Sequence, residues 1–229
     1  MPAIYAYYLF FADLLAELLA IAFGWYGIQV VTKPLLMIFL FAWFMVSSAQ
    51  FLPLRYYIAA ALSFSWMGDV FLLVRSAAPG WFMAGLASFL VAHVLYILFF
   101  VQVRRKQTAA ANWNWVVITT VAIYTTSLIV FLLPFVGSLK GPVIVYAVTI
   151  ATMLLMAVHA FGSTAGKAGW YCIAGAILFL CSDSLLALNK FYRVLPAADW
   201  LIMLTYGLAQ FGIAKGSLLY LAGEKSVAA

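Results

Sequence analysis

The stretch SFSWMGDVFLLV (63–74) contains a carboxylate, Asp69, inside a run that is otherwise mainly aromatic and aliphatic. A second run, GAILFLCSDSLLAL (175–188), does the same with Asp183. A charged side chain at the centre of a membrane-spanning helix costs about 2.5–3.5 kcal/mol on insertion scales, and such residues usually mark functional sites. Two carboxylates in similar apolar settings therefore predict a shared site inside a membrane.

The composition around these two runs is that of a polytopic membrane protein. The chain has 229 residues, of which 68% are hydrophobic and 8% charged, whereas soluble proteins carry about 25% charged residues. Mean hydropathy is +1.13. The net charge of +6 comes largely from basic residues spaced between apolar runs, which is typical of membrane topology signals and not of a nucleic-acid-binding surface.

Apolar windows of about 20 residues predict an all-α bundle. No break between windows is long enough for a soluble domain, so residues 1–229 form a single predicted transmembrane domain. Pro34 and Pro142 lie near expected helix starts, where the missing N–H of proline does no harm. The first window lacks the basic start of a signal peptide and contains Asp13 and Glu17, so we expect it to be a spanning helix. The eight expected helices are 4–23, 32–48, 56–75, 81–103, 113–134, 142–161, 169–190 and 199–222.

The two aspartates are separated by half the length of the chain. The segments KPLLM (33–37) and GPVIV (141–145) also open the two preceding helices in a similar way. This spacing is compatible with two parallel four-helix repeats, an arrangement known among membrane proteins.

The intramembrane polar residues are expected at a common depth. The basic cluster at 104–106 is the strongest orientation signal and predicts both termini on the cytoplasmic side. In that orientation the polar residues of the outer half, or close to the membrane middle, are Asp69, Asp183, Lys33, Tyr146, Tyr206, His93 and Gln210. Each of them also has an ordinary structural interpretation, such as a satisfied interior histidine or an interfacial tyrosine. Asp13 and Glu17, spaced i, i+4, equally fit a structural pair or a channel lining.

Two neighbouring carboxyls in an apolar setting tend to keep one proton between them, which supplies an acid and a base. Three hydrolytic templates do not fit. Gly68 and Asp69 lack the first glycine of a GxGD protease motif, and no GxSxG motif is present. A zinc site is improbable, because the chain has two histidines and its two cysteines, nine residues apart in one apolar run, form no ligand cluster. Acid–base hydrolysis of a lipid-soluble substrate and proton-coupled transport both stay open.

Five segments resemble the YhhN-like membrane proteins, which include lysoplasmalogenases. They are TKPLLM (32–37), FSWMGDVFLL (64–73), FLVAHVLYI (89–97), GAILFLCSDSLLALNKF (175–191) and TYGLAQ (205–210). The resemblance implies an eight-helix enzyme that cleaves the vinyl ether bond of lysoplasmalogens to a fatty aldehyde and a glycerophospho-ethanolamine or -choline. The motif aspartates of that family correspond to Asp69 and Asp183, and its other motif residues to Lys33, His93, Tyr96, Ser182, Asn189, Tyr206 and Gln210.

The implied chemistry needs no metal or organic cofactor, because a protonated carboxyl can protonate a vinyl ether directly. Lys33 is expected to pair with an aspartate or to bind the substrate phosphate. Arg75, Lys190 and Arg193 are alternative headgroup contacts at the rim. The expected partners are a lysophospholipid and membrane lipids, and the expected location is a bacterial inner membrane. A transporter or lipid-handling protein, and a hydrolase of another lyso-lipid, are the competing interpretations.

Overall fold

The computed structural model describes residues 3–51, 53–74, 79–107, 113–162 and 166–228, and this part of the chain contains helices and no strands. A short 3₁₀ turn, Gly137–Leu139, precedes the sixth α-helix, and a π-helical turn, Leu188–Tyr192, follows the seventh. The α-helices are α1 (Ala3–Ala22), α2 (Tyr26–Ser47), α3 (Arg55–Leu73), α4 (Pro79–Arg105), α5 (Trp115–Leu132), α6 (Lys140–Phe161), α7 (Lys167–Ala187) and α8 (Ala198–Ala228).

Seven of the eight helices, α1 to α7, are long and apolar enough to cross a membrane. The less apolar α8 packs along α7 and also touches α1, α2 and α3, so it belongs to the same bundle. The predicted polytopic all-α bundle of eight helices is therefore confirmed.

Successive helices run in opposite directions. Tyr26, at the start of α2, donates a hydrogen bond of 2.9 Å to the carbonyl of Leu73, at the end of α3. At the other surface, Gln107 just after α4 donates to the carbonyl of Ala160 in the last turn of α6, at 2.6 Å. We call the surface that contains the ends of α1, α3, α5 and α7 the upper surface.

The closest helix packing is between α7 and α8, where glycines bring the backbones together. A Cβ atom on Gly175 would lie 2.8 Å from the carbonyl oxygen of Ala209 and from the amide nitrogen of Ile213. A Cβ on Gly216 would lie 2.7 Å from the carbonyl oxygen of Ala168. Small residues at such contacts are typical of helix association in membranes. This contact sets the height of α8 relative to α7.

The start of α2 differs from the sequence prediction. The helix begins at Tyr26 and not at 32, because the turn before it is made by Gly24, whose φ is 69°. Pro34 therefore lies inside the helix and not in its first turn. Lys33 lies about 10 Å below the upper end of α2, at 1.5 Å per residue. The prediction for Pro142 is correct, since it is in the first turn of α6.

Candidate active site

Asp183 lies in the last turns of α7, where it accepts a hydrogen bond from the hydroxyl of Tyr146 on α6. His93 Nε2, from α4, is 3.9 Å from the same carboxylate oxygen. The buried His93 ring packs edge-on against Tyr146 and Phe179, with centroid distances of 5.4 Å and 4.6 Å. Two helices, α4 and α6, thus position polar side chains around the carboxylate that α7 carries.

Asp69 occupies the matching position on α3, four residues before the end of its helix, as Asp183 is on α7. It accepts a hydrogen bond of 2.6 Å from the hydroxyl of Tyr206 on α8. The Tyr206 ring packs edge-on against Phe89 and Phe179 at 5.8 Å and 5.6 Å. Phe179 therefore packs against both His93, which lies beside Asp183, and Tyr206, which bonds to Asp69. Asp69 and Asp183 are close enough to interact electrostatically.

Gly68 allows α4 to approach Asp69 so closely. A Cβ atom at this position would lie 2.6 Å from the ring of Phe89. Deeper in the bundle, the hydroxyl of the fully buried Tyr96 donates to Gln210 Oε1 at 2.6 Å. Polar side chains of α3, α4, α6, α7 and α8 thus come together in the upper half of the bundle and at its middle, as the common depth predicted.

Lys33 belongs to a second polar group, formed by α1 and α2. It interacts electrostatically with Glu17 and with Asp69. Glu17 is buried and accepts a hydrogen bond from the hydroxyl of Thr32. Asp13, one turn deeper on α1, is also buried. Lys33 therefore lies near carboxylates of two different helices, although neither is within ion-pair distance.

Two predicted substrate-binding residues contact the first turns of α8 and the segment before it instead of the aspartates. Ser182 Oγ donates to the carbonyl of Ile202 at 3.1 Å. Asn189 donates to Asp199 at 3.3 Å and accepts from the amide of Leu195 at 2.9 Å. Their binding role stays a prediction, and Arg75 lies outside the described residues.

A cleft between α4, α5, α6 and α7 opens beside Asp183. The empty space in the cleft, including the open solvent at its mouth, is about 630 Å³. Asp183 is its one lining carboxylate among the described residues, and 11% of that side chain is exposed. The lining is otherwise largely apolar and comprises Phe82, Leu86, Tyr124, Thr125, Leu128, Ile129, Leu132, Val143, Tyr146, Ala147, Ile150, Leu180, Ser184, Leu186, Ala187 and Phe191.

The cleft wall formed by α5 contains polar residues that the sequence did not identify. Tyr124 donates a hydrogen bond of 2.8 Å to Ser184 Oγ and so bridges α5 and α7. Thr125, also in the wall, is buried. Ser184 could have been found from the sequence, because it follows Asp183 directly in the motif. The sequence of α5 contains no motif that would have identified Tyr124 or Thr125 as cleft residues. Within the described residues, no three His, Cys, Asp or Glu side chains are grouped so that they could bind a metal ion.

The π-helical turn after α7 forms part of the mouth of this cleft. With α-helical winding of about 100° per residue, Phe191 would lie about 80° away from the face of Asp183. The wider π turn rotates it back toward that face. Phe191 does line the cleft, and its ring packs edge-on against Phe82 at 5.8 Å.

Comparison with known proteins identifies the family. The model of the YhhN family matches residues 28–217, which include both aspartates and the whole cleft. The chain belongs to the YhhN family. The family resemblance seen in the sequence motifs is thereby confirmed, and the matched region does not include the α1 residues Asp13 and Glu17.

Curated relatives of this YhhN protein are named lysoplasmalogenase. Rat lysoplasmalogenase TMEM86B (Rattus norvegicus) is 31% identical over 190 residues, 82% of this chain and 71% of the relative. The human protein of the same name (Homo sapiens) is 30% identical over 195 residues, covering 85% and 76%. A lysoplasmalogenase from Mycobacterium bovis is 29% identical over 167 residues, 71% of this chain and 60% of the relative. No solved structure matches.

Proposed function

We propose that this YhhN protein is a lysoplasmalogenase, a membrane-embedded hydrolase that cleaves the vinyl ether bond of lysoplasmalogens to a fatty aldehyde and a glycerophospho-ethanolamine or -choline. The names of its mammalian and mycobacterial relatives support this activity. The observation that carries it is the carboxyl of Asp183, which faces a largely apolar cleft opening near the membrane surface.

The depth of Asp183 suits a lipid that has a single chain. Asp183 lies four residues before the end of α7, about 6 Å below the upper surface. A lysophospholipid with its headgroup at that surface has its first glycerol–chain linkage a short distance below. Apolar contacts for the hydrocarbon chain come from Leu128, at about the depth of Asp183, and from Ile150 and Leu180, which lie deeper in the cleft.

The reaction begins with proton transfer from the Asp183 carboxyl to the vinyl β-carbon. The cation that results is shared by the α-carbon and the ether oxygen, next to the Asp183 carboxylate. Water attacks the α-carbon and returns a proton to Asp183. The hemiacetal then loses its hydroxyl proton as the bond to the glycerol oxygen breaks and that oxygen is protonated. One water is consumed, and aldehyde and alcohol are released.

Tyr146 and Asp69 support Asp183 in this scheme. The Tyr146 hydroxyl, bonded to the carboxyl, holds it in one orientation toward the cleft. Asp69 interacts electrostatically with Asp183 but is not among the described lining residues. Because two neighbouring carboxyls in an apolar region tend to share a proton, Asp69 helps to keep Asp183 protonated. The two aspartates therefore act as an unequal pair, with Asp183 as the acid.

A one-ended cleft favours an enzyme over a transporter. Among the described residues, all those of α4, α5, α6 and α7 that line the cleft lie within ten residues of the upper ends of their helices. A transport path would in addition need lining residues near the opposite surface. The orientation expected from the basic cluster at 104–106 directs the mouth of the cleft away from the cytoplasm, and that orientation and a bacterial inner membrane are part of the proposal.

The test is a substrate panel assayed with the purified protein. The panel contains a 1-alkenyl lysophospholipid, its saturated 1-alkyl analogue and a 1-acyl lysophospholipid of the same chain length. Aldehyde release from the alkenyl lipid alone is expected, and Asp183→Asn abolishes it, whereas Asp199→Asn, an exposed carboxylate at the start of α8, leaves it intact. Fatty acid release from the acyl lipid, without aldehyde from the alkenyl lipid, would identify a different lyso-lipid hydrolase.

A further inference from the structure

The π-helical turn positions a lysine at the mouth of the cleft. Lys190 Nζ is 5.0 Å from the centroid of the Phe82 ring. Phe82 lines the cleft and also packs against Phe191, which lines it too. The exposed ammonium group of Lys190 is therefore held against a ring that forms the mouth of the substrate cleft.

The charge of Lys190 has no acidic partner in the described part of the chain, where no carboxylate lies within ion-pair distance of its Nζ. Lys33 also has no carboxylate within ion-pair distance among the described residues, but it interacts electrostatically over a longer distance with Glu17 and Asp69. An ammonium group that contacts only an aromatic face keeps its hydrogen-bond donors available for an anion. Lys190 is accordingly better suited than Lys33 to bind a phosphate from outside the protein.

The spacing of Lys190 and Asp183 along the helix axis fits this role. Lys190 follows Asp183 by seven residues, which corresponds to about 10 Å along a helix axis. In a lysoplasmalogen, the vinyl ether oxygen and the phosphate are joined by the glycerol backbone. A flexible lysine side chain at this height can reach the phosphate while the vinyl ether lies beside Asp183.

We propose that Lys190 binds the phosphate of the substrate headgroup and thereby sets the height of the vinyl ether in the cleft. The identity of the substrate rests on the proposed function, but the phosphate contact itself does not depend on cleavage. Lysine offers a point charge with three donors, which suits a phosphate diester.

The sequence also offered Arg193 as a headgroup contact, but the aromatic ring it contacts at the same surface is not part of the cleft, so Arg193 serves as the matched control. Its guanidinium lies 5.5 Å from the centroid of the Tyr192 ring. That ring packs between Phe131 and Phe135, at 4.9 Å and 5.0 Å, and none of these three rings lines the cleft. Loss of Arg193 removes a surface cation without changing the mouth.

The experiment compares Lys190→Gln, Lys190→Arg and Arg193→Gln on two substrates, a 1-alkenyl lysophospholipid and the 1-alkenylglycerol that lacks the phosphate. For Lys190→Gln we expect KM for the phospholipid to rise about tenfold with little change in kcat, as expected when a charged hydrogen bond to bound substrate is lost. Kinetics on the alkenylglycerol should not change. Lys190→Arg should restore most of the affinity, and Arg193→Gln should resemble the wild type.

Equal effects of Lys190→Gln on both substrates would overturn the proposal, because Lys190 would then serve the fold or hold the phosphate of a neighbouring lipid. No effect on either substrate would overturn it as well. A second measurement, binding of the saturated 1-alkyl lysophospholipid, separates this proposal from the proposed function. Binding that weakens about tenfold in Lys190→Gln supports the phosphate site even if the wild type releases no aldehyde. If the wild type binds no such lipid, the phosphate site is wrong.

Discussion

Asp69 and Asp183 occupy matching positions on α3 and α7, yet their surroundings differ. Each lies four residues before the end of its helix and accepts a hydrogen bond from a tyrosine hydroxyl. Asp69 is 2% exposed as a residue, whereas the Asp183 side chain is 11% exposed and faces the cleft. Two carboxyls at matching helix positions thus differ in access: that of Asp69 is enclosed, and that of Asp183 is accessible from the cleft.

The packing of the neighbouring helices produces this difference. Phe89 of α4 covers Asp69 through contact with Gly68, and Tyr206 of α8 closes the other side. Beside Asp183 the outermost helix is α5, which packs mainly on α6 and touches α7 through the Tyr124–Ser184 hydrogen bond. In the most apolar window of α5, 17% of residues are buried, against 33–44% in the other six candidate spans. The accessible aspartate therefore lies behind the least buried helix.

The largest expected effect comes from removing the accessible carboxyl. Asp183→Asn should lower kcat by about 10³-fold or more, and Asp69→Asn by about 10²-fold, since positioned acid–base groups contribute about 10²–10⁴-fold. The measurement is aldehyde release at saturating substrate, with folding checked by size-exclusion chromatography and circular dichroism. Equal losses of kcat in the two variants would show that the difference in burial between the aspartates does not affect catalysis. If either variant folds and keeps full activity, the proposal that the two aspartates act as a pair is wrong.

The next effect concerns the packing that holds Tyr206 against Asp69. Gly175→Ala should lower the free energy of unfolding by about 1–3 kcal/mol, because the new methyl group meets backbone atoms of α8 that cannot move aside. Thermal unfolding in detergent measures it. Gly27→Ala on α2 is the matched control, since nothing lies within 4 Å of a Cβ there. A Gly175→Ala protein as stable as the control would mean that α7 and α8 pack less closely than described.

The two tyrosine contacts give a third comparison. Tyr146→Phe should lower kcat about tenfold, because this hydrogen bond orients the cleft carboxyl and also stabilises the negative charge that forms as Asp183 gives up its proton; a hydrogen bond to a charged group contributes about 1.5–3 kcal/mol. Tyr206→Phe removes the corresponding bond from Asp69 and should have a smaller effect on kcat. Steady-state kinetics of both variants test this order. The reverse order would assign the acid role to Asp69.

The smallest expected effect tests whether the cleft holds the hydrocarbon chain. Leu128→Trp fills the cleft from α5 and should raise KM about fivefold for a long-chain lysoplasmalogen, an effect of about 1 kcal/mol. A short-chain substrate should be affected less. Ile123→Trp, on the same helix but 68% exposed on another face, serves as the control. If both tryptophan variants behave alike, the chain binds elsewhere.

The sequence predicted the number of helices and the common depth of the polar residues, because hydropathy and helix rise determine both. It placed the start of α2 six residues too late, since Gly27 and Gln29 lower the hydropathy of a turn that is in fact helical. Asp69 and Asp183 look alike in their local sequences. Which of them is enclosed depends on contacts with α4, α5 and α8, which local patterns do not encode.

Several residues that line the cleft could not be predicted from local sequence patterns either. Tyr124 and Phe82 lie far from any motif, and they reach the cleft only through the packing of α4 and α5 around α7. Phe191 lines the cleft because the helix winds more widely after Ala187, and a regular α-helical period would have assigned it to another face.

With the roles proposed for Lys190 and Asp183, the π-helical turn separates the residue that selects the headgroup from the residue that acts as the acid. It begins after Asp183, so a one-residue insertion or deletion within Leu188–Tyr192 would re-aim Phe191 and Lys190 while the carboxyl and its tyrosine stay fixed. Members of the family that differ in the length of this turn are therefore expected to accept different polar headgroups with an unchanged acid. The residue that performs the reaction and the residues that select the headgroup would then be separated by about one helical turn of the chain.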